Sequence, residues 1–142
     1  MQRVDYLASH NAGMAQLQAD PHANETVPVR TLDSMSLPGC RLIKIDVEGM
    51  ERSVLEGASE TLCKFRPYIY AENNQPQKSD ALLEFIRGFS YKIYRHPAPC
   101  YNPDNFYGNP NCDFKDYLES NILCVPAEMA ASFVPAPGLD EL

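Results

Sequence analysis

From Leu42 to Val47 the chain is apolar except at Lys44 and closes on Asp46, the pattern of a strand covered on both faces. At Gly49 the period changes. Val54, Leu55, Ala58 and Leu62 then recur at helical spacing, while Glu51, Arg52, Glu56 and Glu60 fall on the wet side. Arg66-Pro67 ends that pattern, and Tyr68 to Ala71 predicts a second strand ending in Glu72-Asn73-Asn74. The result is a strand–helix–strand unit with acids and amides at both strand ends. Ligands of parallel α/β sheets bind just beyond those carboxyl ends, so the polar groups stand where chemistry is expected.

Further along, Ser79 is placed to cap a helix with Leu82, Leu83, Ile86 and Phe89 on its apolar face and Gly88 near its end. Tyr91 to Tyr94 and Asn121 to Val125 read as strands, expected to form an antiparallel pair at the sheet edge. The stretch between them, rich in Pro, Asn and aromatics, is long for a structureless loop and points to a binding segment. Toward the N-terminus, Arg3 to Leu7 reads as a short strand and Asn11 to Gln18 as a turn with some helix. Asp20 to Glu25 is a polar loop, and Thr26 to Arg30 has β character. Thr31-Leu32-Asp33-Ser34 turns into a short helical segment that stops at Pro38-Gly39. After Pro126, residues 127–142 read as a flexible tail.

The 142 residues suit one domain with a packed core, given 44% hydrophobic content. A net charge of −7 argues against a nucleic-acid surface, which needs clustered Lys and Arg. No apolar run approaches the roughly 20 residues of a membrane span, and the N-terminus lacks the basic start and apolar stretch of a secretory signal. Five scattered cysteines, with no Cys-x-x-Cys pair, read as reduced thiols of a cytoplasmic protein. A Cys100–Cys112 loop disulfide is the alternative.

The segments VPVRTLDSM, LIKIDVEGMERSVLEGA, RPYIYAEN, YNPDNFYGNPN and SNILCVP resemble the C-terminal half of the FkbM family of S-adenosylmethionine-dependent methyltransferases. The likeness runs from about Val27 to Pro126. It implies a partial Rossmann-like methyltransferase fold in a domain of residues 1–126. It also implies S-adenosylmethionine as cofactor and methylation of a hydroxyl on a small molecule or sugar. Such folds hold the cofactor on a glycine-rich turn after the first strand. The seven glycines here include no Gly-x-Gly, and no cofactor-binding residue is assigned. The expectation is therefore a chain that carries mainly the acceptor side, with the first strands missing. A non-catalytic binding module or inactive fragment is the alternative. A sheet without those strands exposes an edge, so self-association or docking of an N-terminal half is expected.

The candidate site follows from the strand ends. Neighbouring strands lie about 4.8 Å apart, so Asp46 and Glu72 are expected to reach one small site, with Asn73 adding an amide oxygen. That hard-oxygen set suits Mg²⁺ orienting an acceptor hydroxyl, an arrangement similar to catechol-type O-methyltransferases. Asp46, Lys44 and His10 are the catalytic candidates. Asn73, Tyr101, Asn105 and Phe106 are the substrate-binding candidates, because amides and aromatics suit sugars and polar rings. The competing structural readings are specific. Asp46, Glu48 and Glu51 would serve equally as acids favoured at a helix start, and Lys44 would simply pair with Asp46. Gly49 is read as a turn needing close backbone approach, and Gly57 as close packing against the sheet.

Overall fold

A computed structural model describes residues 3–4, 17–18, 27–111 and 113–142. Two short strands, β1 (Arg3–Val4) and β2 (Leu17–Gln18), pair antiparallel. Gln18 is thus extended, where the sequence predicted turn and helix. His10, His22, Cys112 and the Asp20 to Glu25 loop lie outside the described residues.

The main sheet has five strands: β3 (Leu42–Ile45), β4 (Tyr68–Glu72), β5 (Tyr91–Pro99), β6 (Leu118–Pro126) and β7 (Asp140–Glu141), in the order β3-β4-β6-β5-β7. The β3–β4 pair is parallel, joined by α1 (Glu51–Glu56) and α2 (Ser59–Phe65). After α3 (Pro76–Gly88), β5 and β6 form the antiparallel pair, with β6 inserted beside β4. This mixed α/β sheet agrees with the parallel pair and antiparallel strands read from the sequence.

Register explains the core. Ile43, Ile69, Cys124 and Ile93 are cross-strand partners in one row, an apolar line across β3, β4, β6 and β5. It packs with Leu55, Leu62, Leu82 and Ile86 of the three helices into one buried cluster. The other face carries Lys44, Tyr70, Leu123 and Tyr94 in register, an alternation set by the period of two.

The helical pattern from Gly49 to Leu62 breaks into two helices instead of one. A Cβ on Gly57 would lie 3.1 Å from Thr31 Cγ2, so the glycine accommodates the incoming Thr31 segment rather than the sheet. Two residues later, the Asp33 carboxylate accepts from the Glu60 and Thr61 amides (both 2.9 Å) and the Thr61 hydroxyl (2.7 Å). It therefore caps α2 from 27 residues away. Desolvation pushes the Asp33 carboxyl up, but the three hydrogen bonds together outweigh it and hold the group below its ordinary value. Helix α3 begins at Pro76, not at Ser79, because Pro suits the first helical position.

The β5–β6 ladder extends further than predicted, and includes Pro97 and Pro99. Cys100 N donates to Tyr117 O on the β6 side, so alternation turns the nitrogens of Pro97 and Pro99 away from β6. Proline is tolerated at that position. The intervening loop shrinks to residues 100–117. The segment marked as a flexible tail packs back: α4 (Ala127–Ala130) follows β6, and β7 pairs with β5 through Lys92–Glu141 and Arg95–Asp140 contacts. Arg66 fastens this region. Its guanidinium holds the Glu128 carboxylate, donates to the Phe89 and Ser90 carbonyls, and stacks 4.6 Å from the Tyr91 ring centre. That grip pulls the Glu128 carboxyl down to about 2. No described helix is long and apolar enough to cross a membrane.

Candidate functional site

The turn between β3 and α1 is tight. Glu48 (φ 51°) and Gly49 (φ 88°) both adopt left-handed backbone conformations, which a residue with a Cβ resists. Gly49 N donates to Glu51 Oε1 at 2.9 Å, and Lys78 Nζ of α3 donates to Gly49 O at 2.9 Å. A Cβ on Gly49 would stand 2.6 Å from Gln75 Cδ. The close approach expected at Gly49 is thus between the turn and the start of α3.

The end of β4 is braced by the β5–β6 hairpin. Asn73 N donates to Ser120 O at 2.8 Å, and Ser120 N donates to Asn74 Oδ1 at 2.7 Å. Asn74 Nδ2 donates to Glu72 Oε1, so Asn74 bridges the hairpin backbone and the carboxylate. Asn73 Nδ2 turns instead to Ser79 Oγ at 2.8 Å. Between these elements opens a cavity of about 810 Å³. Glu48, Glu72, Asn73 and Asn74 contribute to its walls, with Phe114 and Tyr117 from the hairpin. The two rings meet edge to face at 6.5 Å. Desolvation first, then the charges of Asp46 and Glu48, raise the Glu72 carboxyl above its ordinary value.

Of the residues named from the sequence, Glu72 and Asn73 line this cavity; Asp46 and Lys44 stand outside it on the exposed strand face. Lys44 Nζ pairs with Asp46 Oδ2 at 2.9 Å, and that hydrogen bond raises the ammonium above its ordinary value. A lysine held charged in this way is no general base at neutral pH. Tyr101 donates to Asn109 O, and Asn105 bonds to the Asn102 and Asn109 backbone, so both build the loop itself. Phe106 is 94% exposed. His10 lies outside the described residues, and His96 Nδ1 meets the Tyr70 hydroxyl at 2.8 Å on the open sheet face.

Among the described residues, no three His, Cys, Asp or Glu side chains come together to hold a metal ion. Asp46 pairs with Lys44 outside the cavity that Glu72 and Asn73 line, so the structure gives no support to the Asp46–Glu72–Asn73 set as a Mg²⁺ site. Cys40, Cys63 and Cys124 are free thiols. Burial pushes the Cys124 thiol up to about 12, leaving it unreactive.

Asn74, named at the strand end, and Gln75, Lys78, Phe114, Tyr117 and Glu119, which sequence reasoning passed over, complete the site. For the first three a signal existed. The run Asn73-Asn74-Gln75-Pro76-Gln77-Lys78 joins a strand end directly to a proline-started helix, which concentrates amides at the binding edge. Phe114, Tyr117 and Glu119 carried none, since only the hairpin's fold-back brings them there.

A parallel strand pair with helical crossovers, polar strand ends and a cavity beyond them define an α/β protein of methyltransferase-like architecture. The family model described as the methyltransferase FkbM domain matches residues 3–93, more than half the chain, and the chain belongs to that family. No curated protein and no solved structure matches it.

Proposed function

We propose that this chain supplies the acceptor side of an S-adenosylmethionine-dependent O-methyltransferase, with the cavity at the ends of β3 and β4 holding a hydroxylated small molecule or sugar. The observation that carries this reading is the composition of that cavity. Two aromatic rings face a wall of carboxylates and amides on one rigid sheet edge, the combination that packs a sugar ring and fixes its hydroxyls. The carboxylates Glu48, Glu72 and Glu119 also suit a positively charged methyl donor. S-adenosylmethionine would supply an electrophilic methyl group there. Glu72, held by Asn74, is placed to take the acceptor hydroxyl's proton, and its raised affinity for protons suits that task. Phe114 and Tyr117 orient the ring and shed water from it.

Titration calorimetry with S-adenosylhomocysteine, followed by saturation-transfer NMR on hexoses and phenols, tests the reading. Hydroxylated compounds should bind, and Tyr117→Ala should weaken them about tenfold through the lost stacking. Failure of every such compound to bind would remove the proposal. A second reading, a binding module that uses the same cavity without transferring methyl, is favoured by the lack of any Gly-x-Gly in the sequence. Methyl transfer to a bound acceptor, on supplying S-adenosylmethionine and a cofactor-binding N-terminal half, would exclude it.

Glu72 also predicts a pH effect on stability. A carboxyl with a raised folded-state pKa binds more protons folded than unfolded. Stability therefore falls as pH rises from the ordinary carboxylate value through the raised one. Glu72→Gln removes that fall: its melting temperature should exceed the parent's near pH 7 and match it near pH 3. Equal shifts at both pH values would show that charge is not the cause.

A further inference from the structure

The last rung between β4 and β6 is irregular. Asn73 N donates to Ser120 O, and in a regular antiparallel pair Ser120 N would return the bond to Asn73 O. It goes instead to Asn74 Oδ1 at 2.7 Å. A side-chain amide thus takes the place of a backbone carbonyl where the chain leaves the sheet. Because an N–H can only donate, the Asn74 oxygen must face Ser120, which sends Nδ2 to Glu72 Oε1. Among the described residues, no hydrogen bond reaches the other carboxylate oxygen, Glu72 Oε2.

Resting on the reading of the cavity as an acceptor site, we propose that Asn74 is the positioning residue for Glu72: it occupies Oε1 and leaves Oε2 as the oxygen that receives the acceptor hydroxyl. The residue type is what makes this work. An amide accepts from Ser120 and donates to Glu72 at once. Aspartate would keep the first bond and turn the second into repulsion of like charges. The surroundings make the donation count. Burial first, then the charges of Asp46, Glu48 and Glu119, work against an ionised Glu72, and the Asn74 hydrogen bond works for it. The nearby cations are engaged elsewhere: Lys78 of α3 donates to Gly49 O, Arg52 of α1 to Glu56, and Lys44 of β3 to Asp46. Glu51, on the same cavity wall, accepts from Gly49 N. Asn74 therefore couples the geometry of the strand end to the proton affinity of the carboxylate beside it.

Two variants of the full chain separate this role from a purely structural one. NMR follows the Glu72 carboxyl carbon through a pH titration, and the exchange of the Ser120 amide proton with solvent. Asn74→Ala should speed that exchange about tenfold, the loss of one hydrogen bond, and raise the Glu72 midpoint. Asn74→Asp should leave the exchange near the parent's and raise the midpoint further, because two adjacent carboxyls then titrate together. The affinity for a hexose, read by saturation-transfer NMR, should rise with pH through the parent's Glu72 midpoint. In Asn74→Asp that rise should move up with the midpoint. A midpoint that stays in place in Asn74→Asp overturns the proposal, since Asn74 would then only close the rung. So does hexose affinity that ignores the midpoint. The titration itself needs no acceptor. Failure of every hydroxylated compound to bind, with the midpoint moving as expected, would instead overturn the acceptor site alone.

Discussion

Truncation of Ile69 to alanine is expected to lower the unfolding free energy by about 2–5 kcal/mol. Ile69 is fully buried at the centre of the sheet, between Ile43 of β3 and Cys124 of β6. Its removal opens a void that three helices on one side cannot collapse into without leaving their own contacts. For a chain of this length each kcal/mol moves the melting midpoint by roughly 3 °C, so heat and urea unfolding both report the loss. Ile69→Val should fall near 1 kcal/mol, roughly one methyl's worth. Equal effects from the two variants would mean the row is not the core that register assigns.

Gly49→Val is expected to damage stability and site together. The left-handed conformation at Gly49 disfavours a β-branched residue, a strain of about 1–3 kcal/mol. The new side chain also displaces Gln75 and parts Lys78 from the Gly49 carbonyl. Since Gln75 and Lys78 both line the cavity, acceptor binding should be lost beyond what the fall in stability explains. Gly49→Ala should give the same pattern in weaker form. Urea unfolding and acceptor titration on the same samples separate the two effects. Intact binding in a destabilised Gly49→Val would detach the turn from the site.

How far the sequence revealed this arrangement depends on the range of the forces involved. β3 and β4 were legible because a short apolar run ended by an acid or amide is a local pattern. The break at Gly57 was not, because Thr31 and the Asp33 carboxylate arrive from more than twenty residues away. The extension of β5 through Pro97 and Pro99 was not legible either, because only the parity of the ladder makes prolines acceptable there. At the site, Glu72 and Asn73 followed from their place at a strand end. Tyr101, Asn105 and Phe106 were chosen by residue type within the loop, whereas the fold selects Phe114 and Tyr117. These two sit just before β6, where the strand carries them to the mouth of the cavity. The Lys44–Asp46 ion pair, offered as the plainer alternative for those residues, is what the structure shows.

The loop at 100–117 closes largely on its own backbone: Asn102, Asn105 and Asn109 bond within the segment and Tyr101 ties onto it. Phe106 and Tyr107 ride on its tip, T-stacked on each other. A segment so self-contained behaves as a cassette. Residues 102–109 can be exchanged or grafted while the apolar rows of the sheet stay as they are. Variation there would leave the scaffold that holds Glu72 unchanged.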